Sequence, residues 1–270
     1  MIQPDTVGQE RTGGQERTGG QESTGSQERV AISVDGKGVA QVRLSRADKL
    51  NALDTAMFDA MIAAGDRLAA MPDLRCVVLS GEGKAFCAGL DLAMLGALAG
   101  SDLDLAARTH GPANRFQQVA MQWRALPVPV IAAVHGVCFG GGLQIAGGAD
   151  IRVVAGNARL SVMELKWGIV PDMGHFALWR GLVREDVLRE LTWTAREFSG
   201  NDAQALGFCT HVDADPLARA TAIADEIAAR DPAAIRAAKA LSGSTADLAT
   251  EAILLAESLA QRGLLAAKRG

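Results

Sequence analysis

The sequence has no tyrosine and only four cysteines among its 270 residues. Without a phenol, carboxylates and the four histidines are the titratable candidates for catalysis near neutral pH. The cysteines, at positions 76, 87, 138 and 209, form no CxxC pair and no zinc-ligand spacing. A chain of this length also needs no disulfides to stabilise its core. These features predict a cytoplasmic protein without a metal site.

Long apolar runs and an excess of charge of one sign are also missing. No apolar run is long enough to span a bilayer, and the N-terminus lacks a basic start followed by a hydrophobic stretch. The 27 Lys and Arg residues nearly balance the 31 Asp and Glu residues, which leaves a formal net charge of -4. The composition therefore predicts neither membrane insertion nor nucleic-acid binding.

The N-terminal segment repeats a polar six-residue unit, GQERTG, between residues 8 and 29. Because this repeat has no apolar side chains to bury, we expect residues 1–29 to form a disordered tail. A docking arm is the functional alternative, although most termini of this kind are only solvated.

Alternating strand and helix patterns follow the tail. VAISVD and GVAQVRLS, separated by Gly36-Lys37-Gly38, predict a hairpin, and Asp54 suits the N-cap of a helix that stops at Pro72. CVVLSG and VIAAVHG predict buried strands. The sequence thus predicts an α/β core over residues 30–213 and a helical region over residues 214–270.

A further helix is predicted between the two buried strands, over about residues 102–125. Its predicted inward positions are Leu103, Ala107, Phe116, Val119 and Trp123.

Two segments, at 80–92 and 135–150, each join a strand to a helix through small residues. The first turn of a helix leaves N–H groups unpaired, and the helix dipole adds partial positive charge there. Gly89 and Gly140–Gly142 allow such donors to approach one oxygen without a Cβ in the way. Taken alone, such turns are more often packing features. Neither has the spacing of a phosphate-binding loop, a dinucleotide fingerprint or a GxSxG elbow.

Four motifs follow one another along the chain: KLNALD at 49–54, KAFCAGLDL at 84–92, VHGVCFGGG at 134–142 and MELKWGIVPDMG at 163–174. In order and spacing they resemble the enoyl-CoA hydratase/isomerase, or crotonase, family. The similarity extends from about Val30 to the C-terminus.

The resemblance implies an α/β fold, a superhelix of ββα units with a C-terminal helical trimerisation region, assembled as a homotrimer or a dimer of trimers. It implies an acyl-CoA substrate and no separate cofactor. In this family two backbone N–H groups, which fall here on Leu90 and Gly141, bind the thioester oxygen as an oxyanion hole. Lys49, Ala88 and Gly140 fall in segments that contact the CoA part of the substrate.

Loss of a proton alpha to a thioester places charge on the carbonyl oxygen, so N–H donors there stabilise the transition state and a base must lie near the carbon. Glu164 falls where the family carries a catalytic glutamate. On local pattern alone, Ser161-x-x-Glu164 is a helix capping box. The register of the four motifs favours Glu164 as the base.

Gln144 falls where hydratases of the family carry their other glutamate, and an amide cannot gain or lose a proton near neutral pH. Asp172 falls close to an aspartate of the family's dienoyl-CoA isomerases, which also carry an aspartate at the Gln144 position. A helix N-cap is the equal alternative for Asp172. His175, near the same helix start, is expected to be neutral and is a weaker candidate for proton relay.

These residues favour double-bond isomerisation of an enoyl- or dienoyl-CoA, with Glu164 as base, Asp172 as its partner and Gln144 beside them. The first alternative is hydration of a trans-2-enoyl-CoA, as in fatty-acid β-oxidation. The second is an acyl-CoA-binding protein without catalytic activity, because Gln144 leaves one member of the usual pair.

Overall fold

The computed structural model describes residues 28–245 and 248–269. Its strands are β1 (Val30–Val34), β2 (Val39–Leu44), β3 (Cys76–Gly81), β4 (Val130–Val134), β5 (Val137–Phe139), β6 (Ile151–Val154), β7 (Arg159–Ser161), β8 (Phe198–Ser199) and β9 (His211–Val212). Its helices are α1 (Thr55–Ala69), α2 (Leu92–Ala99), α3 (Arg115–Ala125), α4 (Gly141–Gly148), α5 (His175–Trp179), α6 (Glu185–Thr194), α7 (Gly200–Leu206), α8 (Pro216–Ala228), α9 (Pro232–Ser244) and α10 (Thr250–Ala267). Two 3-10 helices lie at Ala47–Lys49 and Glu164–Trp167. Residues 1–27 of the predicted tail lie outside the described residues.

Six strands form the main sheet in the order β1-β2-β3-β4-β6-β9. The predicted hairpin is confirmed, because β1 and β2 pair antiparallel, whereas each later pair of neighbours is parallel. The central strands β3 and β4 are runs of apolar and small residues that are buried almost throughout. Such runs are typical of parallel strands with helices on both faces.

Helices cover the two faces of this sheet in different ways. On one face the large core includes Phe58 of α1 and Trp123 of α3. On the other face α8 presents Ala220, Ala224 and Ala228, four residues apart, to the sheet. These small side chains lie on one stripe of the helix and allow its backbone to approach the strands closely.

A smaller sheet of three strands, in the order β5-β7-β8, lies beside the main one. β5 pairs parallel with β7, and β7 pairs antiparallel with β8. Because β5 leads directly into α4, this small sheet determines where the glycine-rich helix start lies.

The prediction at Asp54 is confirmed, because its carboxylate accepts a hydrogen bond from the Met57 N–H at 2.8 Å and caps α1. The predicted helix over 102–125 is wrong in its first half, since α3 begins only at Arg115. Asn114 caps that helix with Gln117 in a capping box.

Residues 102–114 form turns because their side chains compete with helical hydrogen bonding. The Asp104 carboxylate accepts from the Ala106 N–H at 2.8 Å, and Gly111 has a positive φ of 60° next to Pro112. Leu103, predicted to point inward, is 50% exposed. The predicted inward residues of the second half, Phe116, Val119 and Trp123, are buried.

The predicted C-terminal helices are present as α8, α9 and α10. An ion pair from Lys239 to Asp150 anchors α9 to the core, and Arg236 donates to the Pro72 and Leu74 carbonyls at 3.0 and 2.9 Å. α10 packs on α9 and has no buried residue. Within the part of the chain that the structure describes, no helix has the length and apolarity needed to cross a bilayer.

Candidate active site

Two loop segments lie side by side at the carboxyl ends of β3 and β4. The Cys87 N–H donates to the Val137 carbonyl at 3.1 Å, and the Phe139 N–H donates to the Cys87 carbonyl at 3.0 Å. This parallel bridge sets the register of the two segments, so that the residues after Gly89 and Gly140 lie next to each other.

The N–H groups of Leu90 and Gly141 have no acceptor among the described residues. Leu90 is held in place on both sides, because the Leu53 N–H donates to the Gly89 carbonyl at 2.8 Å and the Asp91 N–H donates to the Leu53 carbonyl at 3.0 Å. Gly141 is the first residue of α4, where an N–H has no partner inside the helix. Two free donors therefore lie at neighbouring points.

Glycine is required at two positions of this arrangement. Gly89 has a φ of 90°, and a Cβ there would lie 2.8 Å from the Phe139 carbonyl oxygen. Gly140 has a φ of 49°, and a Cβ there would lie 3.2 Å from a carboxylate oxygen of Glu164. The backbone conformation and the close carboxylate together exclude a larger residue without strain.

Asn51 holds the first loop in shape and was missed as a site residue in the sequence. It is fully buried with a φ of 56°. Its side-chain oxygen accepts from the Arg46 N–H at 2.8 Å, and its amide donates to the Ala85 and Phe86 carbonyls at 2.8 and 3.2 Å. Its position in the KLNALD motif could have identified it from the sequence. Asparagine tolerates this backbone conformation and offers both a hydrogen-bond donor and an acceptor.

Gln144 is a buried amide whose orientation is determined by its neighbours. Its oxygen accepts from the N–H groups of Met173 and His175, at 2.8 and 3.1 Å. Its nitrogen donates to Oε1 of Glu164 at 2.6 Å. The opposite orientation would face two N–H donors with an NH₂ group, so the network excludes it.

Glu164 is only 7% exposed, and it lies in the 3-10 helix after β7. Its Oε2 has no hydrogen-bond partner among the described residues. Burial raises the pKa of this carboxyl, and the nearby Asp172 adds to the increase, whereas the bond from Gln144 opposes it. The capping-box alternative is wrong, because the Ser161 hydroxyl donates to the Ala195 carbonyl at 3.0 Å.

Asp172 is exposed, and it does not cap the helix that follows it. The N-cap of α5 is Gly174, and the side chain that accepts from the first N–H of this helix, that of His175, is Gln144. The N-cap alternative for Asp172 is therefore wrong. Although the residue as a whole is exposed to solvent, protein atoms surround its carboxyl group. This partial burial raises the pKa of Asp172. Two carboxyls with raised pKa values thus lie in the same region.

His175 is buried, and its backbone N–H donates to the oxygen of Gln144. Its Nε2 is 3.0 Å from the Thr192 hydroxyl, which itself donates to the Leu188 carbonyl at 2.7 Å, so Nε2 carries the proton. Burial lowers the pKa of His175 to about 4. Burial thus favours the expected neutral form of His175.

One cavity of about 910 Å³ collects the site residues predicted from the sequence. Its lining includes the predicted residues Lys49, Ala88, Leu90, Gly140, Gly141, Gln144, Glu164 and Asp172. The Ala88 N–H already donates to the Leu50 carbonyl at 2.9 Å, so this residue has only its side chain and carbonyl free for a ligand. The cavity therefore combines two free N–H donors, one fixed amide and the carboxyls of Glu164 and Asp172.

Comparison with known proteins gives consistent matches. The model of the family described as "Enoyl-CoA hydratase/isomerase" matches residues 35–267. The chain is 36% identical over 201 residues to the enoyl-CoA hydratase EchA19 of Mycobacterium tuberculosis, covering 73% of each protein. It is 33% identical over 216 residues to the human mitochondrial Delta(3,5)-Delta(2,4)-dienoyl-CoA isomerase, covering 75% of this chain and 65% of that protein.

Solved structures agree with the fold. A putative enoyl-CoA hydratase of Streptomyces coelicolor matches with a TM-score of 0.81 at 28% identity, covering 93% of this chain and 92% of that one. A putative enoyl-CoA hydratase/isomerase of Mycobacterium abscessus matches with a TM-score of 0.80 at 30% identity, covering 87% and 90%. The predicted crotonase-like α/β fold is confirmed.

Proposed function

Because this chain belongs to the enoyl-CoA hydratase/isomerase family of enzymes, we propose that it moves a double bond along the acyl chain of an enoyl- or dienoyl-CoA thioester. The observation that carries the proposal is the pairing of Glu164 with Asp172 in one cavity, beside a Gln144 that is not an acid. The thioester oxygen binds between the Leu90 and Gly141 N–H groups, and Lys49, Ala88 and Gly140 lie along the CoA part.

The reaction begins when Oε2 of Glu164 removes a proton from the carbon next to the thioester. The electron pair passes to the thioester oxygen, where the two N–H donors stabilise the negative charge. The raised pKa of Glu164 suits it to this step, because a stronger base removes the proton more readily.

In this scheme Asp172, whose pKa burial raises, holds the proton that then passes to the far end of the conjugated system. The double bonds have moved, and no water has been added. The proton on Glu164 returns to Asp172 directly or through solvent, since Asp172 is exposed. The pair therefore holds one proton at the start of each turnover and one at its end.

The hydrogen bonds of Gln144 favour isomerisation over hydration. A water that attacks an enoyl-CoA needs acceptors for its protons, and the oxygen of Gln144 already accepts from two backbone N–H groups. The amide can therefore act only as a donor in this cavity. Of the Gln144–Glu164 pair, Glu164 alone can then accept a hydrogen bond from such a water.

Hydration of a trans-2-enoyl-CoA is the second candidate. The observation in its favour is the 36% identity to an enoyl-CoA hydratase. An assay panel of 2-enoyl-, 3-enoyl- and 3,5-dienoyl-CoA thioesters distinguishes the candidates, because diene and thioester absorbance can be followed separately. Diene formation without net hydration is the expected result, whereas hydration of the 2-enoyl thioester alone would overturn the proposal.

Asp172→Asn is the first test of the proton shuttle. We expect it to lower turnover of a 3,5-dienoyl-CoA by a factor of about 10²–10⁴, the usual size of acid–base catalysis. Glu164 still removes the first proton in this variant. Exchange of that proton in deuterated buffer, followed by mass spectrometry, should therefore persist.

Asp66→Asn, an exposed position on α1, is the matched control and should retain full turnover. Unchanged dienoyl turnover in Asp172→Asn would remove Asp172 from the mechanism. Tight thioester binding by the parent protein with neither exchange nor turnover would instead favour an acyl-CoA-binding protein.

Gln144→Glu tests the role of the amide. A carboxylate at this position can still accept from the Met173 and His175 N–H groups, but it lies against Oε1 of Glu164. Two such carboxyls share a proton, which raises their joint pKa. We expect isomerisation at neutral pH to fall about tenfold or more, since a tenfold change corresponds to one pKa unit, and hydration of a 2-enoyl-CoA to rise.

Gln144→Asn is the matched control, because it shortens the amide without adding an acid. It should lower isomerisation without any gain in hydration. Equal hydration by both variants would contradict the assigned role of Gln144.

Assembly and location stay predictions. We expect a homotrimer or a dimer of trimers formed through the C-terminal helices, where α10 exposes four leucines, Leu254, Leu255, Leu259 and Leu265. We also expect a cytoplasmic protein that acts without metal, membrane or nucleic acid.

A further inference from the structure

Two walls of the cavity expose large apolar side chains. Leu92, Leu103 and Leu105 belong to one wall and are 57%, 50% and 48% exposed. Trp167 and Val170 belong to the other and are 51% and 65% exposed. Exposed apolar side chains that converge on one concave site indicate a ligand that covers them.

The first wall includes α2, a helix without a charged residue. A helix that is apolar on all sides normally lies inside a protein. Ala93 is exposed here, while Met94 and Leu95 are only half-buried. Residues 102–114, which were predicted to be helical and instead form turns, do not cover α2. Leu103 and Leu105 in this segment extend the apolar surface of α2.

The cavity reaches the main core at its far side. Phe58 of α1 and Phe116 of α3 both line it, and their rings meet edge to face with centroids 5.1 Å apart. Because both rings are buried, the floor of the cavity is apolar as well. Its volume of about 910 Å³ lies near the upper end of the usual range for ligand pockets, roughly 300–1,000 Å³.

The charged side chains in the lining are already engaged. Glu164 and Asp172 carry the proposed chemistry, and Asp91 accepts a hydrogen bond from Arg46 at 2.7 Å. Lys49 is the one cation among the described residues that line the cavity, and the proposed function assigns it to CoA. This leaves no group to bind a charged end of an acyl chain.

We propose that the acyl group of the substrate is a long, wholly apolar hydrocarbon chain, and not a short-chain or carboxylated acyl group. The inference rests on the proposed function only in taking the ligand to be an acyl-CoA thioester. The two walls cover the sides of the acyl group, and the Phe58–Phe116 pair limits its length.

Binding of saturated thioesters tests the inference without any turnover. Calorimetry compares butyryl-, octanoyl-, dodecanoyl- and succinyl-CoA, each below its critical micelle concentration. A fully buried methylene tightens binding by about fourfold. Partial burial along the chain therefore predicts that dodecanoyl-CoA binds on the order of a hundredfold more tightly than butyryl-CoA. Succinyl-CoA should bind no better than butyryl-CoA.

The double variant Leu103→Ser/Leu105→Ser tests whether these two leucines produce the dependence of affinity on acyl length. Both positions are exposed, so the fold should persist, and binding of dodecanoyl-CoA should weaken by about tenfold through the lost apolar contact. Butyryl-CoA should bind as before. Leu217→Ser, which is 44% exposed on α8 and does not line the cavity, is the matched control and should change neither affinity.

Equal affinity for butyryl- and dodecanoyl-CoA would overturn the inference, and so would tight binding of succinyl-CoA. An equal loss for short and long thioesters in the double variant would do the same. If affinity rises strongly with acyl length but no isomerisation occurs, only the proposed reaction is overturned. If isomerisation occurs but affinity does not change with acyl length, only this inference is overturned. Absence of binding by all four thioesters would overturn the inference whatever the reaction.

Discussion

Replacing Glu164 with glutamine is expected to lower kcat by a factor of about 10²–10⁴ while making the protein more stable at neutral pH. The loss follows because an amide cannot take the proton from the substrate. The fold should be retained, since the glutamine oxygen can accept from the Gln144 nitrogen as Oε1 of Glu164 does, at 2.6 Å.

The gain in stability comes from the burial of the carboxylate. Burial raises the pKa of Glu164 in the folded protein above its ordinary value, so the folded state favours the protonated form. The stability contributed by this group is complete below the unfolded pKa and is lost as the pH rises through the folded pKa. Glutamine carries no charge and avoids this loss, so the variant should be more stable than the parent at neutral pH.

Denaturant titrations of both proteins between pH 4 and pH 8 measure this difference. His175 gives the opposite trend, because its pKa is lowered to about 4, so stability is lost as the pH falls from about 6.5 towards that value. Both proteins contain His175, and its contribution largely cancels in the comparison. The difference between parent and variant should therefore grow with rising pH.

Glu257→Gln, at an exposed position on α10, is the matched control and should change neither turnover nor the pH dependence. Full turnover by the Glu164 variant would exclude Glu164 as the base. A difference in stability that stays constant with pH would show that the carboxyl is not buried as the structure has it.

The Gly141→Pro variant is expected to have a kcat about 10²–10³ times lower than that of the Gly141→Ala variant. Proline removes the free N–H that the proposed mechanism uses on the thioester oxygen, and alanine retains it. Proline is well tolerated at the first position of a helix, which Gly141 occupies in α4. The comparison therefore tests the N–H position of Gly141, where the proline ring places its Cδ instead of a hydrogen-bond donor.

Both variants add the same Cβ. It would lie 2.9 Å from the ends of the Leu53 and Met173 side chains, which are flexible enough to move. A loss of kcat that both variants share is therefore steric. Circular dichroism and the affinity for free CoA show whether the fold is retained. Equal turnover by the two variants would exclude the Gly141 N–H from the oxyanion hole.

Much of the fold could be predicted because its signals are local. The apolar runs of β3 and β4 required burial on both faces, and the polar Asp54 stood directly before an apolar-periodic segment. The motif positions also placed Leu90 and Gly141 on one cavity, since each residue directly follows a glycine of its turn.

Other features depend on contacts that no local pattern contains. Asp172 precedes a short helix and looked equally like a cap, but Gly174 occupies that position. The orientation of Gln144 follows from two N–H groups that lie 29 and 31 residues further along the chain. The apolar residues between 102 and 114 suggested a helix, yet they follow the cavity wall because Asp104 and Gly111 favour turns.

The three hydrogen bonds of Gln144 join positions that lie no more than 31 residues apart in the chain. The residues that the proposed mechanism uses to move protons therefore belong to one contiguous stretch, whereas the loop that presents the Leu90 N–H is encoded about fifty residues earlier. Under that mechanism, substitutions from Gln144 onward can change the fate of the enolate while the Leu90 and Gly141 donors stay in place. Such a division lets one ancestral scaffold evolve new reactions through few mutations while it keeps its class of substrate.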